Sequence, residues 1–350
     1  MSITRSAALQ FRPDAVRSGT HVNLSAVRTD GSRLWIGGDE TATVERLTCD
    51  DPARPTAYGQ HVSYPLGELV DLPGGAEDEV DVEGLARSGP FLWAIGSHSA
   101  KRKKPKPHHS DAKAIKRLAK VRPEPSRRVL ARIAISPDGE PVRETADGHR
   151  SAALGEPGLL ALLADDAHLA PFLDIPGKDN GFDIEGIAVH GPPGQERVFL
   201  GLRGPVLRGW AVVLRISPRD SDGELVLREL EHGGRYAKQF LDLDGLGVRD
   251  LCPQGDDLLV LAGPSMALDG PVRIYRWPGA AHLDTPDMVR RDELVLEAEL
   301  PHGDGDDHAE GLALLPDGDL LVVYDSPAPE RRPAPDTVRA DVVRLGGDEG

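Results

Sequence analysis

Three phrases in this chain place two polar side chains two residues apart, with a glycine directly after them. They are Asp81-Val82-Glu83-Gly84, Asp183-Ile184-Glu185-Gly186 and His308-Ala309-Glu310-Gly311. Carboxylates repeated in this way do chemistry only if the fold brings them together. Several of them within a few ångströms cannot all stay ionised without a partner, so at least one pKa must rise. A hard cation is one remedy. Ca²⁺ accepts six to eight oxygen ligands in irregular geometry, so Glu83, Glu185 and Glu310 are the expected metal ligands, with Mg²⁺ or Mn²⁺ as alternatives. Zinc fits less well, because His308 is the one histidine in the pattern and neither cysteine lies near it. The other remedy is internal: two related segments, 23–28 and 247–252, carry Ser25 and Arg249 at the glutamate position, and a guanidinium there neutralises acid without a metal.

Further polar groups stand where the following strands should stop: Asp39-Glu40, Ser97-His98-Ser99, Arg203, Ser265 and Asp325-Ser326. His98 is the candidate proton carrier, with Asp81 and Asp183 orienting water beside it. Arg203, Lys101 and Arg102, together with Arg249 and His308, are the candidates for holding an anionic substrate. No nucleophile elbow and no phosphate-cradling glycine loop occurs in the sequence.

The elements that must position these groups follow from an internal repeat. Five segments, beginning at Asn23, Asp81, Asp183, Gly247 and His308, share one frame, and each is followed by a turn, a second apolar strand and a third. Asp-Gly pairs mark hairpin turns at 30–31, 138–139, 222–223 and 317–318. Short strands and turns repeating at near-constant spacing are the pattern of a β-propeller, whose innermost strands line a central channel. The intervals 23–81, 183–247 and 247–308 are 58, 64 and 61 residues. The interval from 81 to 183 is 102, and falls to 60 once a basic stretch at 101–128 and a helical-looking stretch at 157–170 are set aside. The pattern predicts an all-β chain, one propeller domain over 1–350 with five blades of four strands. Six blades is the alternative if a long interval hides a degenerate one. Thr4–Phe11 is the expected outermost strand of the last blade, which would close the ring and protect its edges. Side-chain alternation then sends the first and third positions of each phrase to the same face, at one mouth of the channel.

The stretch 101–128 holds twelve Lys or Arg against Asp111 and Glu124. The whole chain carries −16, so the remainder carries −26. Residues 111–120 read as a short helix with Ile115 and Leu118 inward, flanked by proline-rich chain. The frame sets this insertion on the acidic face, as a cationic lid, as a tether for nucleic acid or an acidic partner, or as a solvated insertion. Elsewhere the acidic balance repels nucleic acid and anionic membranes. Two cysteines are too few for a disulfide framework and point to a reducing compartment. The opening residues lack a signal peptide's apolar stretch, and no apolar run of about 18 residues is present. A cytoplasmic monomer with a small anionic ligand and no membrane partner is the expectation.

The phrase D-[VI]-E-G-[LI]-A, followed by "LWAIGSHS" at 92–99 and by "FLGLRGP" and "VLAGPS" further on, resembles a bacterial family known as domain of unknown function 3616. The resemblance runs over roughly residues 20–345 and implies a propeller-like fold, with no assigned activity. More distantly, the E-G-[LI]-A phrase is similar to that of phytase-like esterase propellers and calcium-binding five-bladed nucleotidases. That likeness implies Ca²⁺ at a channel-mouth carboxylate and hydrolysis on the same face, with Glu83, Glu185 and Glu310 as the matching positions. Ser25 and Arg249 depart from the pattern. Two functions follow as expectations: a metal-dependent hydrolase of a phosphoester or other anionic ester, or a non-catalytic module that binds a ligand or a protein.

Overall fold

The computed structural model describes residues 2–38, 41–75 and 78–346. The chain is all-β, with helices confined to short connections. Five inner strands carry the repeated phrases: Leu24–Asp30, Val82–Ser88, Asp183–His190, Gly247–Gln254 and His308–Leu314. Each pairs antiparallel with the strand that follows it, Arg33–Gly38, Phe91–Gly96, Arg197–Gly204, Asp257–Gly263 and Leu320–Asp325 in turn. A third antiparallel strand follows in every case. The inner strands pack on one another in cyclic order, the last against the first. Residues Ser2–Gln10 run antiparallel to Thr337–Arg344, from Ser2 opposite Arg344 to Gln10 opposite Thr337. They also touch the strand Ala57–Pro65 in parallel, at Ala8 and Leu9.

The Asp-Gly turns form where their residues require. Gly31, Gly139, Gly223 and Gly318 take φ of 62°, 81°, 91° and 85°, which glycine adopts without the steric cost of a Cβ. The stretch 157–170 is less helical than its composition suggests. Its helix covers Gly158–Leu162 alone, because Asp166 Oδ1 accepts the amides of His168 and Leu169 and turns the chain. Leu159, Leu163 and Leu169 pack into the core beneath.

Glycine after the glutamate serves the closeness of neighbouring inner strands. A Cβ on Gly84 would lie 2.9 Å from Ile187 Cγ2 and 3.0 Å from the Glu185 carbonyl, both on the next inner strand. It would also lie 2.7 Å from Ile95 Cγ2. Gly84→Ala is expected to lower unfolding stability by about 1–3 kcal/mol, the cost of overpacking, as measured in urea.

The centre of the ring is closed by an ion pair that no repeat announced. Arg28 is 4% and Asp250 1% exposed. Arg28 Nη2 donates to Asp250 Oδ1 at 2.7 Å and Nη1 to Oδ2 at 2.8 Å. The same guanidinium donates to the carbonyls of Ile187, Leu251 and Leu312, each on a different inner strand. Asp250 accepts the amides of Leu251 and Leu312 at 2.7 and 2.8 Å. Arg28 and Asp250 stand further along their inner strands than Ser25 and Arg249, the third positions of the repeated phrases.

Candidate functional site

The third position of each phrase reaches the mouth by a local break in pairing. In all five inner strands the register skips that residue: between Leu24 and Ala26, Val82 and Gly84, Ile184 and Gly186, Val248 and Asp250, Ala309 and Gly311. Ser25, Glu83, Glu185, Arg249 and Glu310 are thus five equivalent β-bulges. A bulge leaves one residue unpaired and re-aims its side chain. Simple alternation, the sequence-based argument for convergence, does not describe this geometry.

Glu83, Glu185 and Asp183 line a cavity of about 230 Å³ together with Asp81, Lys101 and Lys178. It adjoins a hollow of about 480 Å³ that includes Arg249, His308, His302 and Met266. The two share Lys104, Lys178, Arg203, Glu310 and Asp325, so they form one trench.

The glutamates do not form the cation cage expected for Ca²⁺. Glu185 Oε1 accepts Arg203 Nη1 at 2.8 Å, and its Oε2 lies 3.0 Å from Arg249 Nε. Arg249 Nη2 reaches on to Glu310 Oε1. Among the described residues no three His, Cys, Asp or Glu side chains are placed to hold a metal ion. Two guanidiniums thus contact Glu185, and one of them Glu310, at the positions expected to ligate a divalent cation. Ser25 is turned away, donating to the Val82 carbonyl at 2.5 Å.

The expected substrate-binding arginines line the trench and already carry partners there. Arg203 also donates through Nε to the Ser265 carbonyl at 3.1 Å and through Nη2 to that of Met266 at 3.2 Å, which fixes it as a brace for Glu185. Arg102 Nε donates to Asp179 Oδ2 at 2.5 Å. Lys101 remains in the cavity lining, 3.9 Å from Glu79. His308 lines the larger hollow, where the carboxylates of Asp325, 4.0 Å from Nδ1, and Asp269, 3.3 Å from Nε2, raise its pKa.

His98 is not brought to this cavity. Its φ of 55° turns it back, Nδ1 sits 2.9 Å from the Gly96 carbonyl, and it lines a separate hollow of about 290 Å³ with Leu160 and Leu173. Burial lowers its pKa to about 4, so it is neutral at ordinary pH. Asp39 and Glu40 lie outside the described residues.

The aspartates differ from one another. Burial raises Asp81 to about 6, against the pull of Arg127, whose Nη1 donates to Oδ2 at 2.5 Å. Arg127 was not singled out in the sequence, because it stands at the far end of the basic stretch and returns to the mouth only once that stretch folds. Asp183 is in no ion pair with such a cation among the described residues. It is 4% exposed, its Oδ1 is buried without a hydrogen bond, and burial followed by the charge of Glu185 raises its pKa to about 8. The loop at Gly177 lies against it closely enough that a Cβ there would come within 2.2 Å of Oδ2. Burial likewise raises Glu310, to about 7.

Among solved structures the chain is similar to the glutaminyl cyclase of Myxococcus xanthus, with 10% identity, 97% of each chain covered and a TM-score of 0.42. A GH43 β-1,3-galactosidase gives 9% identity over 93% of this chain and 90% of that one, with a TM-score of 0.44. A streptogramin B lyase gives 9%, 99%, 100% and 0.39. At these scores the likenesses carry no argument about chemistry. None of the curated protein sequences matches. The model of one family, described as a protein of unknown function (DUF3616), matches residues 23–341, and the chain belongs to that family.

Proposed function

We propose that the trench is the active site of a hydrolase that cleaves a small anionic ester by acid–base catalysis without a metal. The scaffold in this reading is a five-bladed propeller closed by residues 2–10. That is supported by the cyclic packing of five inner strands and by the pairing of Ser2–Gln10 with Thr337–Arg344. One observation carries the chemistry: Asp183 keeps a buried carboxyl with an orphaned oxygen in a cavity that also holds a second, differently perturbed aspartate and lysines. Paired titratable groups whose surroundings push their pKa values apart divide the roles of acid and base.

In this reading Asp183 holds its proton at neutral pH and gives it to the leaving oxygen. Asp81, ionised through Arg127, takes a proton from the water whose oxygen attacks the ester centre. The bond to the leaving group breaks as the bond to water forms, and exchange with solvent returns both carboxyls to their starting states. Lys101, Lys104 and Lys178 hold the anionic part of the substrate. Arg203 and Arg249 keep Glu185 and Glu310 fixed and neutralised.

The rate should therefore follow a bell in pH. It falls above about 8 as Asp183 loses its proton and below about 6 as Asp81 gains one. The two limbs belong to the coupled pair rather than to either residue alone. Initial rates with p-nitrophenyl phosphate, a phosphodiester and a carboxylated lactone from pH 5 to 9 are the check. A profile flat across that range would remove the aspartates from the chemistry. The second reading, a module that binds without turnover, is favoured by the absence of His98 from the cavity. It predicts no hydrolysis in this panel with anion binding intact.

A further inference from the structure

The stretch 101–128 is folded, and its fold concentrates charge. Ala100–Arg102 pairs with Val121–Pro123 as a two-stranded ribbon. The helix Asp111–Leu118 is strapped back onto it by Arg117 Nε, which donates to the Lys104 carbonyl at 2.8 Å, and by Arg102 Nη1, which donates to that of Leu118. The helix buries none of its residues. Ile115 is 67% exposed, and Leu118 is exposed too, contrary to the inward packing that their spacing suggested. The half-buried face of the helix is instead that of Ala114 and Arg117.

The arm is anchored at its base, where Gly177 N donates to the Ala100 carbonyl at 3.2 Å and Arg102 meets Asp179. Its ion pairs to other described residues also sit there, on Lys101, Arg102 and Arg127. Lys103, Lys106, Lys113, Lys116, Arg117, Lys120 and Arg122 make none within 4.0 Å among the described residues, although the rest of the chain carries −26. The ribbon instead sets cations side by side. The Lys103 amide donates to the Lys120 carbonyl at 3.0 Å, and the Lys103 ammonium is disfavoured, first by desolvation and then by Arg122, Lys120 and Arg117. Like charges held together by a folded scaffold repel one another until an anion lies between them.

The base of the arm is also a wall of the trench. Lys101 and Arg102 line the smaller cavity, and Lys104 lines both. From these two observations we infer that the trench and the arm form one site for an oligophosphate chain, with one phosphoryl group in the trench among Lys101, Lys104 and Lys178 and the following groups along Lys103, Lys120 and Arg122. This rests on the reading of the trench as the ligand site, and it names the ligand class.

Calorimetric titration of the intact protein with orthophosphate, pyrophosphate and tripolyphosphate in about 150 mM salt tests it. Tripolyphosphate should bind at least tenfold more tightly than orthophosphate. The triple variant Lys103→Gln/Lys120→Gln/Arg122→Gln should bring tripolyphosphate down to the orthophosphate affinity and leave orthophosphate unchanged, whereas Lys178→Gln should weaken all three. An unchanged melting temperature would show that these surface variants stay folded. Equal affinities for the three anions, no heat with any of them, or a triple variant that still binds tripolyphosphate as the parent does would overturn the inference. So would a single-stranded RNA of about 20 nucleotides that binds more tightly than tripolyphosphate with the same dependence on the three residues, since the arm would then be a nucleic-acid surface. Turnover assays on the parent beside these titrations separate this inference from the hydrolase reading. Tripolyphosphate binding that persists with no turnover in the parent sinks only the hydrolase, and turnover without oligophosphate preference sinks only the arm.

Discussion

Asp183→Asn is expected to reduce hydrolysis by about 10²–10⁴-fold, the usual contribution of a positioned proton donor. Asparagine keeps the size of the side chain and removes the transferable proton. The same change should stabilise the fold, and the sign can be worked out. The folded-state pKa of Asp183, about 8, lies above the ordinary value of 3.8. Between these pH values the folded chain keeps a proton that the unfolded chain releases, so the parent loses stability as pH rises across that window. The advantage of the variant is smallest near pH 4 and greatest near pH 8. Melting temperatures of both proteins at pH 5, 6.5 and 8 read it directly. A variant that loses turnover and is also destabilised at pH 8 would show that the carboxylate at 183 is a structural acceptor, and the assignment of the acid would fall.

The second large effect lies at the buried pair of Arg28 and Asp250. Arg28→Met leaves Asp250 buried and without its cation, and should cost about 3–5 kcal/mol of unfolding free energy. Asp250→Leu strands Arg28 in the same way. The double variant should recover part of the loss, because two removed charges need no partners. Recovery stays partial, since the amides of Leu251 and Leu312 lose the carboxylate that accepts them. Urea unfolding of the four proteins closes a double-mutant cycle. Single variants within about 0.5 kcal/mol of the parent, the range of ordinary surface changes, would mean that the pin does not hold the ring.

The strand frame was legible in the sequence because it repeats. Asp-Gly turns, apolar strands and the glycine after each glutamate recur where the fold uses them, and each has a local physical cause. The mouth was legible in its residue types and not in its pairings. Glu185 lines the cavity, but its partners Arg203 and Arg249 come from different strands, and one-dimensional spacing does not report which cation is near which acid. His98 lies outside the cavity because a single positive φ reverses its side chain, and positive φ is uncommon even for histidine, one of the types enriched there. The bulges escaped notice for a related reason: strict alternation is the default reading of a strand, and a skipped residue leaves no compositional mark. Asp250 did leave one. It stands where Gly84, Gly186 and Gly311 stand in the acidic phrases, and that exception marks the end of the pin opposite Arg28.

The ladder between Ser2–Gln10 and Thr337–Arg344 also carries a consequence for biogenesis. The first of these strands leaves the ribosome early and its long partner late. At 5–20 residues per second the wait is roughly 15–60 s. Through that time a strand holding Ala7 and Leu9, both fully buried at the end, lacks its long ladder to Thr337–Arg344 and is paired with Ala57–Pro65 at Ala8 and Leu9 alone. Nascent chains of this protein should therefore be clients of early-acting chaperones until the last strand emerges.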